Sequence, residues 1–370
     1  MVLLLIPFVL YSIYLLTLTL AWRSIREIPS SLPPGADIPL LSVVIAARNE
    51  ELTIGKLLED LSVQSISPDH FEVIVVDDHS TDRTADVVTK AMNTLEISLQ
   101  WLPLENGEGK KAAITHGVSR ARGAYILVSD ADCRVPVKWI ETYRAAFVST
   151  GASLLFGPVT YVKGRGTWKS MLEMELILLN GLGAASNKLG WAAMANGANM
   201  AYKKEDFITV KGFEGNQHIA SGDDEFLLRK MKQRYPGRVH YVKSADARVE
   251  TKPVEHFSEF LMQRKRWAGK WKYGGNWVPA LGVFIFYLAF LAGIVLGLLD
   301  WLPLSWVLAG YGIKVLSDGL FLAEINRYMQ SPFKGVVFLF WEILYPFYAI
   351  IIGILSNFGS YNWKGRNYRI

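Results

Sequence analysis

The sequence predicts an α/β domain, in which helices cover a parallel sheet, joined to membrane-spanning helices on both sides. Two observations support this prediction. From Leu40 onward, short apolar strand patterns alternate with helical patterns, which is the order typical of a parallel sheet covered by helices. Long apolar runs stand before and after this region, at 2–22 and beyond residue 278, and each is long enough to cross a bilayer.

The elements of the α/β domain are predicted from their patterns of apolar residues. Uninterrupted apolar runs indicate strands that are buried on both faces, and apolar residues at helical spacing indicate the covering helices. Strands are expected at Leu40–Ala46, Phe71–Val76, Ile97–Leu102, Ala124–Val128 and 152–162, and helices at Glu50–Gln64, Thr84–Met92, Lys110–Arg120, 136–150, Gly166–Leu182 and from Asp223 to about Arg234.

Composition favours a membrane protein over a nucleic-acid-binding one. Hydrophobic residues make up 51% of the 370 residues, and the formal net charge is a modest +5. A basic chain with long apolar runs more often faces anionic lipid than nucleic acid, and we find no nucleic-acid motif, zinc-ligand spacing or fixed-period repeat. The single cysteine, Cys133, excludes an intrachain disulfide and fits a reducing compartment.

These patterns divide the chain into six parts. The first apolar run has no basic residue before it and no cleavage-site pattern after it, while Arg23 and Arg26 follow, so we expect a retained anchor whose downstream side is cytoplasmic. The predicted parts are an anchor at 1–24, a linker at 25–39, the α/β domain at 40–255, an amphipathic interface helix at 256–277, a membrane region of about three segments at 278–357, and a basic tail at 358–370.

The charges in and after the membrane region need separate explanations. Lys314, Asp318 and Glu342 lie inside apolar runs, where charges are costly and usually paired or functional. A Lys314–Asp318 pair within one helix is the simplest account, and a role in transport or lipid-headgroup binding is the alternative. Three full spans would place the C-terminus outside, but the basic residues of the tail favour the cytoplasmic side, so we expect one re-entrant or incomplete span.

Polar residues collect at the carboxyl ends of the predicted strands. Right-handed crossovers bring these ends to one edge of the sheet, which would gather Arg48 and Glu50, Asp78, and the pair Asp130 and Asp132. An Asp-x-Asp sequence at that place can hold a hard divalent cation and, through it, a diphosphate. The alternative is a strand-to-turn junction with two solvated carboxylates.

Three further segments carry candidate site residues, each with a structural alternative. Asp78 could accept hydrogen bonds from a nucleobase or a ribose, or it could belong to a helix N-cap formed by Ser80 or Thr81. Lys110, in the Gly-rich segment before a helix, suits phosphate binding, although a solvated charge cluster is the alternative. Asp224 is a candidate general base, although acidic residues are common at helix starts.

The segment Gln263–Trp267 mixes basic and aromatic residues on a predicted helix. Arginine can bind a diphosphate bidentately, and an indole can stack on a sugar ring. The alternative is a lipid-binding helix in the headgroup region, and that environment is expected for Arg264 and Lys265 in either case.

An ordered set of motifs extends over roughly 40–275. It consists of Val43–Glu50, Val75–Asp82, Gly109-Lys110, Asp130-Ala131-Asp132, Gly197-Ala198-Asn199, Asp223-Asp224 and Gln263-x-x-Arg266-Trp267. This set resembles the family 2 glycosyltransferases, which are inverting, membrane-associated enzymes with a Rossmann-like GT-A fold. It departs from the family in Asp223, where the family has Glu, and from the polysaccharide synthases that carry the Gln-x-x-Arg-Trp motif in having only three apolar runs after the α/β domain.

The resemblance implies a role for each matching residue. Asp78 corresponds to the residue that reads the uracil ring, Glu50 to one near the ribose, and Lys110 to one near the nucleotide phosphates, and Arg48 is expected to bind the same donor. Asp130 and Asp132 correspond to the Asp-x-Asp motif, in which the second Asp coordinates Mg²⁺ or Mn²⁺ and the first assists. Asp224 corresponds to the catalytic base. Gln263, Arg266 and Trp267 correspond to the motif that meets the diphosphate and the acceptor channel.

The resemblance therefore implies an enzyme, a hexosyltransferase that uses a nucleotide-diphosphate sugar, with UDP as the expected nucleotide. The expected acceptor is a hydroxyl of a lipid or lipid-linked molecule, and the expected place is the cytosolic face of the cytoplasmic membrane. A processive polysaccharide synthase is the main alternative, although three apolar runs are few for a polymer channel. A nucleotidyltransferase and a non-enzymatic scaffold or transporter are more distant alternatives. The sugar, the acceptor and the oligomeric state are not predictable from these motifs.

Overall fold

The alternating segments form a seven-stranded sheet covered by helices in the computed structural model, which describes residues 2–32, 39–164, 166–191, 194–217, 219, 221–270 and 277–369. The strands are β1 Leu41–Ala47, β2 Phe71–Asp77, β3 Leu99–Pro103, β4 Tyr125–Asp130, β5 Leu154–Phe156, β6 Val159–Tyr161, β7 Met200–Lys203, β8 Val239–Tyr241, β9 Val249–Thr251, β10 Ser360–Trp363 and β11 Arg366–Arg369. The helices are α1 Ile6–Ser24, α2 Ile54–Ser62, α3 Thr84–Thr94, α4 Lys110–Arg120, α5 Trp139–Thr150, α6 Thr167–Lys188, α7 Lys204–Thr209, α8 Asp223–Arg234, α9 Phe257–Gly269, α10 Trp277–Leu298, α11 Leu304–Met329 and α12 Gly335–Leu355.

The centre of the sheet is parallel, as the alternation of strands and helices predicts. The strand order is β3-β2-β1-β4-β7-β5-β8, with β1 parallel to both β2 and β4 and β2 parallel to β3. The first six residues of β2 and five of the first six of β1 are buried, so these strands are covered on both faces. Strand β7 is antiparallel to its neighbours β4 and β5, and β6 pairs with β9 in a small separate sheet.

The register of the central strands places their polar ends side by side. Ala47 of β1 lies opposite Asp77 of β2, and Ala46 lies opposite Asp130 of β4. Asn49 and His79, just past the ends of β1 and β2, both have positive φ angles, 53° and 59°. Left-handed backbone at non-glycine residues is uncommon and is often found at functional sites. At these two residues the chain turns sharply, just past the edge of the sheet.

Most predicted elements are confirmed, but the strand predicted at 152–162 is two strands in different sheets, β5 and β6. The helix expected from Glu50 begins only at Ile54, because the backbone N–H groups of Thr53 and Ile54 both donate to the Glu50 carbonyl in a turn. Ser80 and Thr81 do not cap the next helix, α3. That helix begins at Thr84, whose backbone N–H donates to the Asp82 carboxylate at 3.0 Å.

The Gly197-Ala198-Asn199 loop ends on a buried structural residue. The Asn199 side-chain oxygen accepts hydrogen bonds from Trp139 Nε1 at 3.0 Å and Tyr143 Oη at 2.7 Å. Its amide nitrogen donates to the carbonyls of Pro158 and Ala247, both at 2.8 Å. Every polar atom of this fully buried amide is therefore paired, which fixes the loop on which Gly197 lies.

The chain divides into two compact units. The sheet unit comprises Ile25–Val162 and Ser186–Lys252, and the apolar-helix unit comprises Met1–Ser24, Lys163–Ala185 and Pro253–Ile370. Most of α6, which lies within the predicted α/β domain, thus groups with the apolar helices, and the predicted linear division into six parts stays a prediction. Pro33, Pro34 and Gly35 of the predicted linker, and Trp271 and Lys272 of the predicted interface helix, lie outside the described residues.

Four helices of the apolar-helix unit are candidate membrane spans by length and hydropathy, among the residues that the structure describes. They are Leu3–Ser24, Leu281–Leu298, Leu304–Met329 and Gly335–Leu355. All three predicted C-terminal runs are therefore helices of spanning length. The expected re-entrant span stays a prediction.

The charged residues in these helices are paired. Lys314 contacts Asp318 at 2.6 Å, as predicted, and it also contacts Glu342 of α12. Tyr11 of α1 donates a hydrogen bond to Asp318 at 2.6 Å, and the Lys314 ammonium lies 5.4 Å from the ring centroid of Tyr287 on α10. The cluster thus joins all four helices, and mutual pairing offsets part of the cost of burying its charges.

Candidate active site

Arg48 and Asp78 lie at one end of the polar edge. The Arg48 guanidinium donates to the carbonyls of Asp78 and His79 at 2.7 and 2.9 Å, so it supports the turn after β2. The Asp78 carboxylate, only 3% exposed, accepts the backbone N–H of Gly109 at 3.0 Å. These contacts join the ends of β1 and β2 to the start of α4.

Glu50 is held in the adjoining turn. Its carboxylate accepts a hydrogen bond from Thr53 Oγ1 at 2.5 Å, and its backbone N–H donates to Thr84 Oγ1 at 2.8 Å. Glu50 is nearly buried, so the turn between β1 and α2 is fixed against α3. The predicted grouping of Arg48, Glu50 and Asp78 at one edge is observed.

Lys110 lies between two carboxylates that are far apart in the sequence. Its ammonium lies 2.7 Å from Asp130 Oδ1 and 2.9 Å from Asp223 Oδ2, and it also donates to the Gly197 carbonyl at 3.3 Å. Burial alone would lower the pKa of Lys110, but the charges of Asp130 and Asp223 raise it above its usual value. Lys110 is thus a permanent cation that ties β4, α4 and α8 together at the edge.

Asp224 has a different environment from its neighbour Asp223. Its Oδ2 accepts the backbone N–H of Gly197 at 3.3 Å, and its Oδ1 accepts the backbone N–H of Glu225 at 2.7 Å. A side chain at Gly197 would approach Asp223 Oδ2 to 2.6 Å, so glycine is required for this close approach. The Lys110 ammonium contacts Asp223 at 2.9 Å, whereas the Asp224 carboxylate is oriented by two backbone N–H groups.

Asp132 faces a cavity of about 510 Å³ on the sheet unit. Basic side chains line this cavity, which we call the basic cavity: Lys56 of α2, Arg134, Arg248 and Lys252. Arg134 is paired bidentately with Asp60, at 2.5 and 2.6 Å. Asp60 and Glu250 line the cavity as well, so it presents both cations and carboxylates beside Asp132, one of the two predicted metal-binding residues.

The residues at the edge fit a magnesium or manganese ion. Such ions are usually held by one or two protein carboxylates, with substrate phosphates and water completing the coordination. Asp130 and Asp132 supply two carboxylates, and no cluster of three or more His, Cys, Asp or Glu is found within the described ranges. Asp130 also contacts the Lys110 ammonium at 2.7 Å, and Thr251 Oγ1 donates to Asp132 at 3.5 Å.

Cys133, next to Asp132, is buried and its Sγ lies 3.8 Å from Asp132 Oδ1. Burial, together with the neighbouring carboxylates of Asp132 and Asp130, raises the pKa of the Cys133 thiol well above its usual value. The thiol therefore stays protonated at neutral pH and is a poor nucleophile or metal ligand. Its role is packing beneath the edge.

Gln263, Arg266 and Trp267 lie on α9 of the apolar-helix unit, where all three are half-buried. Their predicted approach to a diphosphate stays a prediction. The expectation that Arg264 faces lipid headgroups is wrong: Arg264 is 3% exposed and is ion-paired with Glu175. Sequence patterns gave no sign of this, because the partner is 89 residues away on α6.

None of the four basic residues of the cavity is among the candidate site residues predicted from the sequence: Lys56, Arg134, Arg248 and Lys252. Arg248, Glu250 and Lys252 alternate along β9 and its flanks, and alternate residues of a strand share one face. This alternation of charged residues along a strand was the sequence signal that could have indicated Arg248 and Lys252. Lys56 offered none, because a single lysine on a helix is usually a solvated residue.

Three comparisons with known proteins bear on this site. The family model described as glycosyl transferase family 2 matches residues 42–210. Glycosyltransferase AglE of Haloferax volcanii is 30% identical over 235 residues, which is 62% of this chain and 72% of AglE. Beta-monoglucosyldiacylglycerol synthase of Synechocystis sp. is 29% identical over 137 residues, 35% of this chain and 29% of that protein.

A solved structure shares the fold across nearly the whole chain. Mannosyltransferase PcManGT of Pyrobaculum calidifontis, in complex with GDP-Man and Mn²⁺, superposes with a TM-score of 0.55 at 16% sequence identity, covering 96% of both chains. At this identity the likeness concerns the fold alone. It places the sheet and its covering helices in the GT-A class.

Proposed function

This chain belongs to glycosyl transferase family 2, and from that premise we propose that it moves a sugar from a nucleotide diphosphate, UDP by expectation, to a hydroxyl of a lipid or lipid-linked acceptor, with inversion. The observation that carries this proposal is the arrangement around Lys110. This lysine contacts both Asp130, one of the two predicted metal-binding residues, and Asp223, the neighbour of the proposed base. The residues proposed to bind the donor and the proposed base are therefore held in one cluster.

The donor is proposed to lie along the polar edge. The nucleoside is proposed to lie at the end of the edge formed by Asp78 and Glu50, and the diphosphate beside the cations of the basic cavity next to Asp132. A divalent ion held by Asp132 with help from Asp130 would neutralise charge on the departing diphosphate. PcManGT, which shares this fold and is a complex with GDP-Man and Mn²⁺, supports this class of donor and metal.

Asp224 is proposed as the base. Its carboxylate, oriented by the N–H groups of Gly197 and Glu225, accepts the proton of the acceptor hydroxyl while that oxygen forms a bond to the anomeric carbon. The bond from the anomeric carbon to the diphosphate oxygen breaks, and the diphosphate leaves with the electron pair. Attack from the opposite face inverts the anomeric configuration.

Lipid acceptors and a membrane location are supported by two observations. Four described helices are candidate spans, and a relative is named as a synthase of monoglucosyldiacylglycerol, a glycolipid. We therefore propose that the sheet unit works at the cytosolic face of the cytoplasmic membrane. In this arrangement, the acceptor reaches the site from the lipid phase.

A product assay tests the proposed function. The purified membrane protein is incubated with Mn²⁺, a lipid extract and, in turn, UDP-, GDP- and dTDP-linked hexoses, and lipids are analysed by mass spectrometry. We expect one donor to give lipid heavier by a single hexosyl residue, with stoichiometric release of nucleoside diphosphate. A ladder of products would indicate a processive synthase, and pyrophosphate release would indicate a nucleotidyltransferase; either result contradicts single sugar transfer.

A further inference from the structure

Arg264 is buried against a carboxylate inside the apolar-helix unit. Its Nε and Nη2 donate to the two oxygens of Glu175 at distances between 2.5 and 3.2 Å, and both side chains are less than a tenth exposed. The pair is bidentate, a geometry that fixes the plane of the guanidinium as well as its position. Arg264 is therefore an anchor and not a headgroup-binding residue.

The same guanidinium contacts two of the three residues that the sequence assigns to the site on this helix. Its Nη1 donates to Gln263 Oε1 at 2.5 Å, and its central carbon lies 4.3 Å from the ring centroid of Trp267. The Phe260 ring lies on the guanidinium as well, at 4.6 Å. Arg264 thus directly contacts the side chains of Gln263 and Trp267.

Helix geometry explains why Arg264 can serve this purpose. Successive residues of an α-helix are separated by about 100° around the axis, so residues four apart share a face. Phe260, Arg264 and Ala268 form the buried stripe of α9. Gln263 and Trp267 lie beside this stripe and are half-buried, so they have an exposed side and an anchored side.

Glu175 links this anchor to a candidate membrane span. Its Oε1 also accepts a hydrogen bond from Tyr348 of α12 at 2.9 Å. One carboxylate on α6 therefore receives donors from α9 and α12. The orientation of the Gln263–Trp267 segment is fixed by the same contact that joins these three helices.

We propose that Arg264 and Glu175 are positioning residues that hold Gln263 and Trp267 in the orientation required for sugar transfer; this rests on the proposed function and on the role assigned to that segment. Lysine cannot replace Arg264, since a single ammonium offers neither the bidentate fork nor the flat face that stacks on Trp267. Small displacements of groups that orient a substrate are costly. A misplacement of about 1 Å can lower a rate by roughly 100-fold.

The test is a double-mutant cycle between Arg264→Lys and Trp267→Ala. Arg264→Lys is expected to lower kcat by about 100-fold while the Kd for UDP changes by less than about twofold. In the Trp267→Ala background, where one of the two positioned groups is already absent, Arg264→Lys is expected to lower kcat by a clearly smaller factor, about tenfold or less. An equal factor in both backgrounds would show that Arg264 only stabilises the fold and would overturn the proposal.

Two more variants keep the test decisive. Arg23→Lys alters another Arg–Glu pair of this unit, with Glu324 at 2.8 Å, and is expected to leave kcat within about twofold of wild type. If Arg264→Lys fails to fold, Tyr348→Phe takes its place, because it removes only one hydrogen-bond donor to Glu175. Tyr348→Phe is expected to lower kcat by a smaller factor, and that factor is again expected to shrink in the Trp267→Ala background. If the wild type is active and the two substitutions lower kcat by factors that multiply, only this inference is refuted. If the wild type is inactive with every donor tested, the proposed function is refuted.

Discussion

Replacing Asp224 by Asn is expected to lower kcat for sugar transfer by about 10³-fold, the usual loss when a general base is removed. The amide oxygen can still accept one of the two N–H groups, of Gly197 and Glu225, that the carboxylate oxygens of Asp224 accept, and the other N–H group loses its acceptor, so thermal unfolding of the variant is measured beside its kinetics. Donor binding does not use this carboxylate, so the Kd for UDP is expected to stay within about twofold of wild type. Steady-state transfer kinetics and calorimetric titration with UDP provide the two measurements.

The matched control for this substitution is Asp86→Asn. Asp86 is an exposed acid in the first turn of α3, so its replacement is expected to leave both kcat and UDP affinity unchanged. Turnover near the wild-type level in Asp224→Asn would mean that another group accepts the proton. Asp223 would then be the next candidate, despite its contact with Lys110.

Replacing Lys110 by Met is expected to damage both stability and activity. The substitution leaves the carboxylates of Asp130 and Asp223 close together without their shared cation, so the free energy of unfolding is expected to fall by about 2 kcal/mol. Activity is expected to fall by about 10³-fold, because a fixed positive charge beside the departing diphosphate is lost. Thermal unfolding in detergent and kcat/KM measure the two effects.

A second substitution separates the two effects of losing Lys110. Adding Asp223→Asn removes one of the stranded carboxylates, so the double variant is expected to regain part of the lost stability and none of the lost activity. Lys204→Met is the control, because the Lys204 ammonium donates to the Ala121 carbonyl at 2.6 Å, outside the site. If Lys110→Met kept full activity, Lys110 would be a structural ion-pair partner only.

The sheet and its polar edge were predictable because both follow from local patterns. Parallel strands covered on both faces are mostly apolar, so β1, β2 and β4 are visible as largely apolar runs with polar residues at or just after their ends. The right-handed connections between these strands then determine which strand ends lie side by side. The observed pairing of Ala46 with Asp130 agrees with that prediction. Such inferences need no knowledge of side-chain packing.

Contacts between distant segments were not predictable in this way. Lys110 and Asp223 are separated by more than a hundred residues, and nothing in either segment specifies their pairing. Arg264 stands among basic and aromatic residues that resemble a headgroup-binding helix, and only its burial against Glu175 shows a different role. In both cases the sequence indicated the residue type that matters, and tertiary packing decided the partner.

Metal-dependent UDP binding, measured by isothermal titration calorimetry, tests most directly whether the edge from Asp78 to Asp132 is a nucleotide-sugar site. The wild-type protein is expected to bind UDP in Mn²⁺, and either a chelator or Asp132→Asn is expected to weaken binding at least about tenfold, because the diphosphate loses its bridging ion. GDP, titrated in parallel, tests the choice of nucleotide. Two results would contradict the account. One is a UDP affinity that is equal with and without Mn²⁺ and unchanged in Asp132→Asn, and the other is no binding of any nucleoside diphosphate.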